Sequence, residues 1–242
     1  MAVPMSIHRN GHPLRLALVL LAGVAVLPAV VWLSDEDVMP VRAIRITGDA
    51  SHVDVARLQT RLAAAVDGNF LFLDLARLSR AAEALPWVAG AEVRRIWPDT
   101  LEVVLRERVP LARWGEDALL DEHGEVFRPQ PLPSLPALPR LEGPPGSAAR
   151  VRATWERLNE ALAGSGLRMV TLAMNDRRAW HGTLDNGIRL QLGRGDPEQR
   201  VARFAAVYPR ILAPRADEIE QIDLRYPNGL AVRWKRGTTE GQ

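Results

Sequence analysis

Residues 16–33 read LALVLLAGVAVLPAVVWL, eighteen positions without a charge. Wound as a helix, the run would be about 27 Å long, close to the hydrocarbon thickness of a bilayer. No other stretch of the 242-residue chain restricts its fold so strongly, because a segment this apolar must leave water. Arg9 and Arg15 precede it, and Asp35, Glu36 and Asp37 come directly after it. The positive-inside rule then keeps an arm at 1–15 in the cytoplasm and exports the chain beyond residue 33. Trp32 stands where an interfacial aromatic anchor belongs, and Pro28 is tolerated within membrane spans. A cleaved leader ending near Gly23-Val24-Ala25 is the competing reading, but the apolar run continues for eight residues beyond it. A buried core helix, the other alternative, would normally carry a polar face. The expectation is one transmembrane helix at 16–33, a juxtamembrane linker at 34–40 and a large exported part.

The exported part shows no nucleic-acid footprint. Over the whole chain 31 basic residues nearly balance 29 acidic ones, a net +2, with Lys235 the single lysine, whereas such a footprint needs basic residues gathered into a patch. The chain has no cysteine, which excludes disulfides, thiolate catalysis and zinc–thiolate sites.

Periodicity divides the exported part in two. Residues 41–46 alternate as a strand, and Val55, Leu58, Leu62 and Val66 repeat at helical spacing behind a candidate cap, Asp54. Leu75, Leu78, Ala82 and Leu85 repeat it again behind Asp74, until Pro86. Strands come next at 88–96 and 100–106 around Trp97-Pro98-Asp99. This β-α-α-β-β order fills 41–108, enough for a small independent domain. From 109 to 236 the pattern is mostly strands, with short ones near 110–114, 118–121 and 126–127. Residues 129–146 hold seven prolines without periodicity and read as an extended connection. A helix at 150–163 precedes strands at 167–174, 179–184 and 188–192, the last two joined by Asp185-Asn186-Gly187. Asp196-Pro197-Glu198 starts another helix, with cap, first-turn proline and first-turn acid in order. The fold class is α+β, with two helices in a mainly antiparallel second domain and a short tail at 237–242.

Chemistry is sparse. The five histidines fall in no metal-binding spacing on the exported side. No nucleophile elbow, S-x-x-K or phosphate-binding loop is present. Asp121 and Glu122 read as solvated turn charges. Gly193-Arg194-Gly195-Asp196 is explained by the helix start. No catalytic, metal or cofactor site is expected.

The informative stretch is IDLRYPNGLAVRW at 222–234. Ile222, Leu224 and Tyr226 share one strand face, as do Leu230, Val232 and Trp234, while Asp223, Arg225, Arg233 and Lys235 take the others. Pro227-Asn228-Gly229 reads as the turn, with Gly229 suited to a positive φ. Two readings stay open: ordinary edge aromatics, or an unpaired last strand awaiting a partner strand.

Taken in order, the single span, VRAIRITGDASHV, VRRIWPDTLEVVLRERVPLARW, LGRGDPEQRVARFAAVYP and IDLRYPNGLAVRW resemble the FtsQ/DivIB family, in its proteobacterial branch. The resemblance runs along most of the chain. It implies a POTRA domain at 41–108 followed by the β domain, no enzymatic activity, and an inner-membrane divisome protein at the septum whose bulk is periplasmic. It implies partners FtsB and FtsL, with an FtsB strand added at the terminal edge through Arg225, Tyr226, Gly229 and Trp234, and with Arg178 as a further contact. It also implies that Val93, Arg94 and Arg95 belong to a POTRA surface met by other divisome proteins. The alternative is a POTRA-containing factor for protein export or outer-membrane assembly, which favours repeated POTRA units or a following barrel.

Overall fold

Aspartates start three of the four α-helices among the described residues. Asp54 accepts from the Arg57 N–H, Asp74 from those of Ala76 and Arg77, and Asp196 from those of Glu198 and Gln199. Each carboxylate satisfies donors that a helix start leaves orphaned, at about 1 kcal/mol per cap. The computed structural model describes residues 38–133, 135, 138–227 and 229–235. The expected arm, membrane span and tail lie outside the described residues, as does most of the linker. Among the described residues no helix is long and apolar enough to cross a membrane.

The chain divides after Glu107 into two units. The first runs β1 (Ala43–Gly48), α1 (Val55–Ala65), α2 (Leu75–Glu83), β2 (Val88–Ile96) and β3 (Thr100–Glu107). Its sheet has the order β1-β3-β2, with β3 parallel to β1 and antiparallel to β2. Alternation on β3 turns Leu101, Val103 and Leu105 into the core, where they join Leu58 and Leu62 of α1, Leu78 of α2, and Phe70.

The second unit is one nine-stranded sheet with two α-helices. Its elements are β4 (Pro110–Trp114), β5 (Ala118–Asp121), β6 (Val126–Phe127), β7 (Arg140–Glu142), α3 (Ala148–Leu162), β8 (Met169–Met174), β9 (Trp180–Leu184), β10 (Arg189–Gly193), α4 (Pro197–Val207), β11 (Ile219–Asp223) and β12 (Ala231–Trp234). The sheet order is β12-β11-β10-β9-β8-β7-β4-β5-β6. A π-helical turn, Tyr208–Leu212, and a 3-10 segment, Ala213–Glu218, connect α4 to β11. Val151, Leu158 and Leu162 of α3 and Val201 and Phe204 of α4 share one core with Leu172, Leu190 and Ile222 of the sheet.

The proline-rich stretch departs from expectation. Within it β7 lies parallel to both β4 and β8 and joins the two halves of the sheet. Three residues are too few to show a period, and parallel pairing needs no turn beside them. Pro139 lacks an N–H, but its carbonyl still accepts from Arg113.

Asp121 also departs from the sequence reading. It is buried rather than solvated, and one oxygen accepts from the His123 and Glu125 N–H groups while the other takes Arg108 at 2.6 Å. Burial there is tolerable because each carboxylate oxygen has a donor.

Candidate functional site

Among the described residues β12 stands at the edge of the sheet and pairs only with β11, antiparallel, through Ile222↔Val232 and Asp223↔Ala231. Lys235 turns its N–H inward to the Glu218 carbonyl. Alternation puts the main-chain groups of Arg233 and Ala231 on that inner side. Those of Val232 and Trp234 therefore point to the open edge. A row of free donors and acceptors is what an added strand requires.

The connection before β12 is longer than a tight hairpin. β11 ends at Asp223 and β12 begins at Ala231, so seven residues separate them. The cause is Asp223, whose carboxylate accepts the Arg225 N–H at 3.0 Å and folds the chain back on itself. Leu224 then donates its N–H to Gln191 of β10 at 2.9 Å, leaving the β11–β12 ladder. Pro227 has no N–H to donate, and its carbonyl accepts from Arg203 of α4.

Arg225 is clamped. Its guanidinium makes a two-pronged contact with Asp223, Nε at 2.9 Å and Nη2 at 2.6 Å, and its stem lies over Gly193, where an added Cβ would meet Cγ at 2.8 Å. Leu224 is buried, but Tyr226, expected on the same face, is turned out and 54% exposed. Trp234 occupies the far end of β12, opposite Ile219. It is 40% exposed, with the Arg215 guanidinium 4.2 Å from its ring centroid, a cation–π contact that orients the ring. Arg215 is held in turn by Glu218 at 2.5 Å.

Arg178 sits in the β8–β9 turn with φ 59, its N–H donating to the Asn175 carbonyl. The turn stands at the end of the sheet where Trp180 pairs with Gly193, so the structure brings Arg178 to the same end as Arg225 and Tyr226. There it lines a cleft of about 440 Å³ with Arg150, Thr154, Arg157, Trp180 and Glu198. Arg157 is paired with Glu198, whereas Arg150 and Arg178 have no ion-pair partner among the described residues.

The sequence-predicted POTRA triplet is split. Val93 and Arg95 lie opposite Val103 and Leu101, on the face the helices cover, and only Arg94 faces outward. Arg95 donates to the carbonyls of Phe70 and Leu73, both at 2.6 Å, and so braces the loop before α2. Arg94 pairs with Glu102 across the open face.

Asp223, Gly193 and Arg215 are the residues that sequence reasoning missed. Of these only Arg215 carried a local sign, its three-residue spacing from Glu218. The bond from Arg225 holds the Asp223 carboxyl below the ordinary aspartate range, outweighing burial, which acts upward. A carboxyl depressed by folding contributes stability above its unfolded pKa, about 3.9. That contribution is lost as pH falls through the lower folded value. The clamp is therefore expected to stay closed from neutral pH down to about 4. Carboxyl carbon shifts followed against pH should place the Asp223 midpoint below that value, and Arg225→Gln should move it back up. A midpoint indifferent to Arg225→Gln would assign the shift to something other than the clamp.

Among the described residues no group of three His, Asp or Glu side chains is placed to hold a metal ion. A β-α-α-β-β unit followed by a sheet with β12 at its edge defines the class, a POTRA-bearing protein of two units. Residues 39–108 match the FtsQ-type POTRA domain, and residues 112–225 match the C-terminal region of cell division protein FtsQ/DivIB. The chain is 40% identical to cell division protein FtsQ of Shewanella oneidensis, over 84% of this chain and 77% of that protein. It is 34% identical to cell division protein FtsQ of Coxiella burnetii, over 94% of this chain and 96% of that one, and 37% identical to that of Vibrio cholerae, over 94% and 87%. The chain belongs to the FtsQ/DivIB family of cell division proteins, and neither matched profile is that of an enzyme. The C-terminal match ends at Arg225, so Tyr226, Gly229 and Trp234 lie beyond it.

Proposed function

We propose that this chain is a non-enzymatic divisome scaffold, anchored in the inner membrane by residues 16–33 with its two folded units in the periplasm. It binds FtsB and FtsL and helps recruit and regulate the septal peptidoglycan synthesis machinery. The observation that carries the reading is the outer edge of β12, with Val232 and Trp234 presenting unpaired main-chain groups. An FtsB strand adds there, with Tyr226 and Trp234 as aromatic anchors at its two ends. The Arg150–Arg178 cleft receives an acidic side chain of the same partner, since both guanidinium groups face it without an ion pair among the described residues. Gly229, with nothing within 4 Å of a built Cβ, leaves room for the partner beside the loop. On the POTRA unit, outward-facing Arg94 marks the surface for other divisome proteins, while Val93 and Arg95 support its strand from the helix-covered face.

Affinity for the FtsB–FtsL pair tests the edge. Tyr226→Ala and Trp234→Ala are each expected to cost about 2 kcal/mol or more, roughly thirtyfold in Kd. Val232→Pro removes one outward N–H while leaving the inner ladder to β11 intact, so it should abolish strand addition where Val232→Ala only weakens it. Full affinity in folded Tyr226→Ala and Trp234→Ala variants would sink the edge model. Equal binding by Val232→Pro and Val232→Ala would replace strand addition with side-chain docking.

A further inference from the structure

The first unit has two distinct ends. At one, the chain enters: the Phe70 N–H donates to the Met39 carbonyl at 2.8 Å and the Arg42 N–H to the Asp99 carbonyl at 2.9 Å. Because β3 runs parallel to β1 and β2 runs against both, this end also holds the β2–β3 turn and the loop between α1 and α2. The other end holds Gly48, the start of α1 and the exit at Glu107.

Two large apolar side chains stand in solvent at the entry end, Phe72 at 64% and Trp97 at 65% exposure. In the first unit the one other exposed large hydrophobic among the described residues is Val55, at the opposite end. Neither ring is carried on a loose segment. Trp97 packs edge-on against buried Phe70, centroids 5.7 Å apart. The Asn69 side-chain oxygen accepts from the Leu71 and Phe72 N–H groups, each at 3.1 Å. Arg95 braces the same loop from the sheet. Among the described residues at this end three carboxylates have arginine partners: Asp67 has Arg77, Asp74 has Arg80 and Asp99 has Arg42. An anionic surface would therefore meet no uncompensated charge among these groups.

The length of chain upstream says what covers the two rings. Only residues 34–38 separate Met39 from the end of the apolar run at Leu33, and fully extended they reach about 17 Å. With that run in a bilayer, the entry end is tethered beside the headgroups. Trp and Phe held there are the side chains that favour the boundary between headgroups and acyl chains. We infer that the entry end of the first unit rests on the bilayer, with Trp97 and Phe72 inserted into the lipid interface. The contact fixes how the unit stands on the membrane, and it rests on the proposed span at 16–33.

The absence of cysteine makes the test direct, since a nitroxide can be attached at a single introduced site. The full chain, reconstituted in phosphatidylethanolamine–phosphatidylglycerol vesicles, would carry the label at Val26→Cys, Phe72→Cys, Trp97→Cys or Val55→Cys. Collisions with lipid-soluble oxygen are expected to exceed those with a water-soluble nickel chelate at 26, 72 and 97, and to fall below them at 55. A water-exposed label at both 72 and 97, with 26 in lipid, overturns the inference and leaves the span standing. A water-exposed label at 26 overturns the span and the inference together. Because labelling replaces one ring, lipids brominated near the headgroup should also be used to quench native tryptophan emission. Quenching is expected to be greater in the native chain than in Trp97→Phe, and equal quenching overturns the insertion of Trp97. Shielding of these sites by a protein, without lipid contact, overturns the inference as well.

Discussion

Asp121→Ala is expected to lower the stability of the second unit by about 3–5 kcal/mol. The carboxylate is fully buried, and its three bonds, from Arg108, His123 N–H and Glu125 N–H, tie the start of the unit to the β5–β6 turn. Truncation leaves two N–H groups without their acceptor. It also leaves Arg108, whose side chain is only 17% exposed, with Glu125 as its one ion-pair partner among the described residues. The Arg108 Nε is already buried without a partner, so no spare bond offsets the loss. Asp121→Asn keeps an oxygen for the two N–H groups but replaces the other, which accepts from Arg108, with an amide NH2. It should therefore cost less, about 1–3 kcal/mol. Urea midpoints of the two variants separate the cases. A cost under about 1 kcal/mol for alanine would mean that the turn reorganises around the gap.

Gly48→Ala should damage the first unit nearly as much, by about 3 kcal/mol. Gly48 closes β1 with φ +95, and a Cβ there would stand 2.2 Å from the Leu105 carbonyl oxygen and 3.0 Å from its nitrogen. Both atoms are main chain of β3, so relief requires β1 to part from the strand it pairs with. Gly68 provides the control, because it has φ +91 with nothing within 4 Å of an added Cβ. Gly68→Ala carries the backbone strain alone, about 1 kcal/mol. Thermal melts of the two variants read the clash as a difference. Equal losses would show that β1 can shift away from β3 at little cost.

These two residues mark what was legible in the sequence. Local chemistry was: Asp54, Asp74 and Asp196 each announce a helix by caps and spacing within four residues, and the structure places them so. Contacts between distant segments were not. Asp121 beside Glu122 reads as a wet turn until Arg108 closes over it. β7 is too short to show alternation, yet it joins the halves of the second sheet. The edge position of β12 follows from the strand order of the sheet, which no local pattern encodes, and the candidate residues Arg225, Tyr226 and Trp234 came from family resemblance. Their arrangement depends on Asp223, Gly193 and Arg215, which are set by a side chain folding back, a glycine two strands away and a loop arginine. No periodicity encodes such partners. The split of Val93 and Arg95 from Arg94 was present in the strand alternation, because neighbours on a strand face opposite ways.

The bond from Leu224 to Gln191 has a consequence for the order in which the molecule opens. Because β11 is secured to β10 at that point as well as along its parallel ladder, β12 adds nothing that β11 needs in order to stay folded. The last strand is therefore a separate cooperative element, able to detach at a free energy well below that of global unfolding. Its amides should exchange with solvent deuterium first, while those of β10 wait for the whole unit. A strand laid along the outer edge would raise protection in β12 and leave β10 unchanged, so that occupancy of the site is written into the exchange rates of four residues.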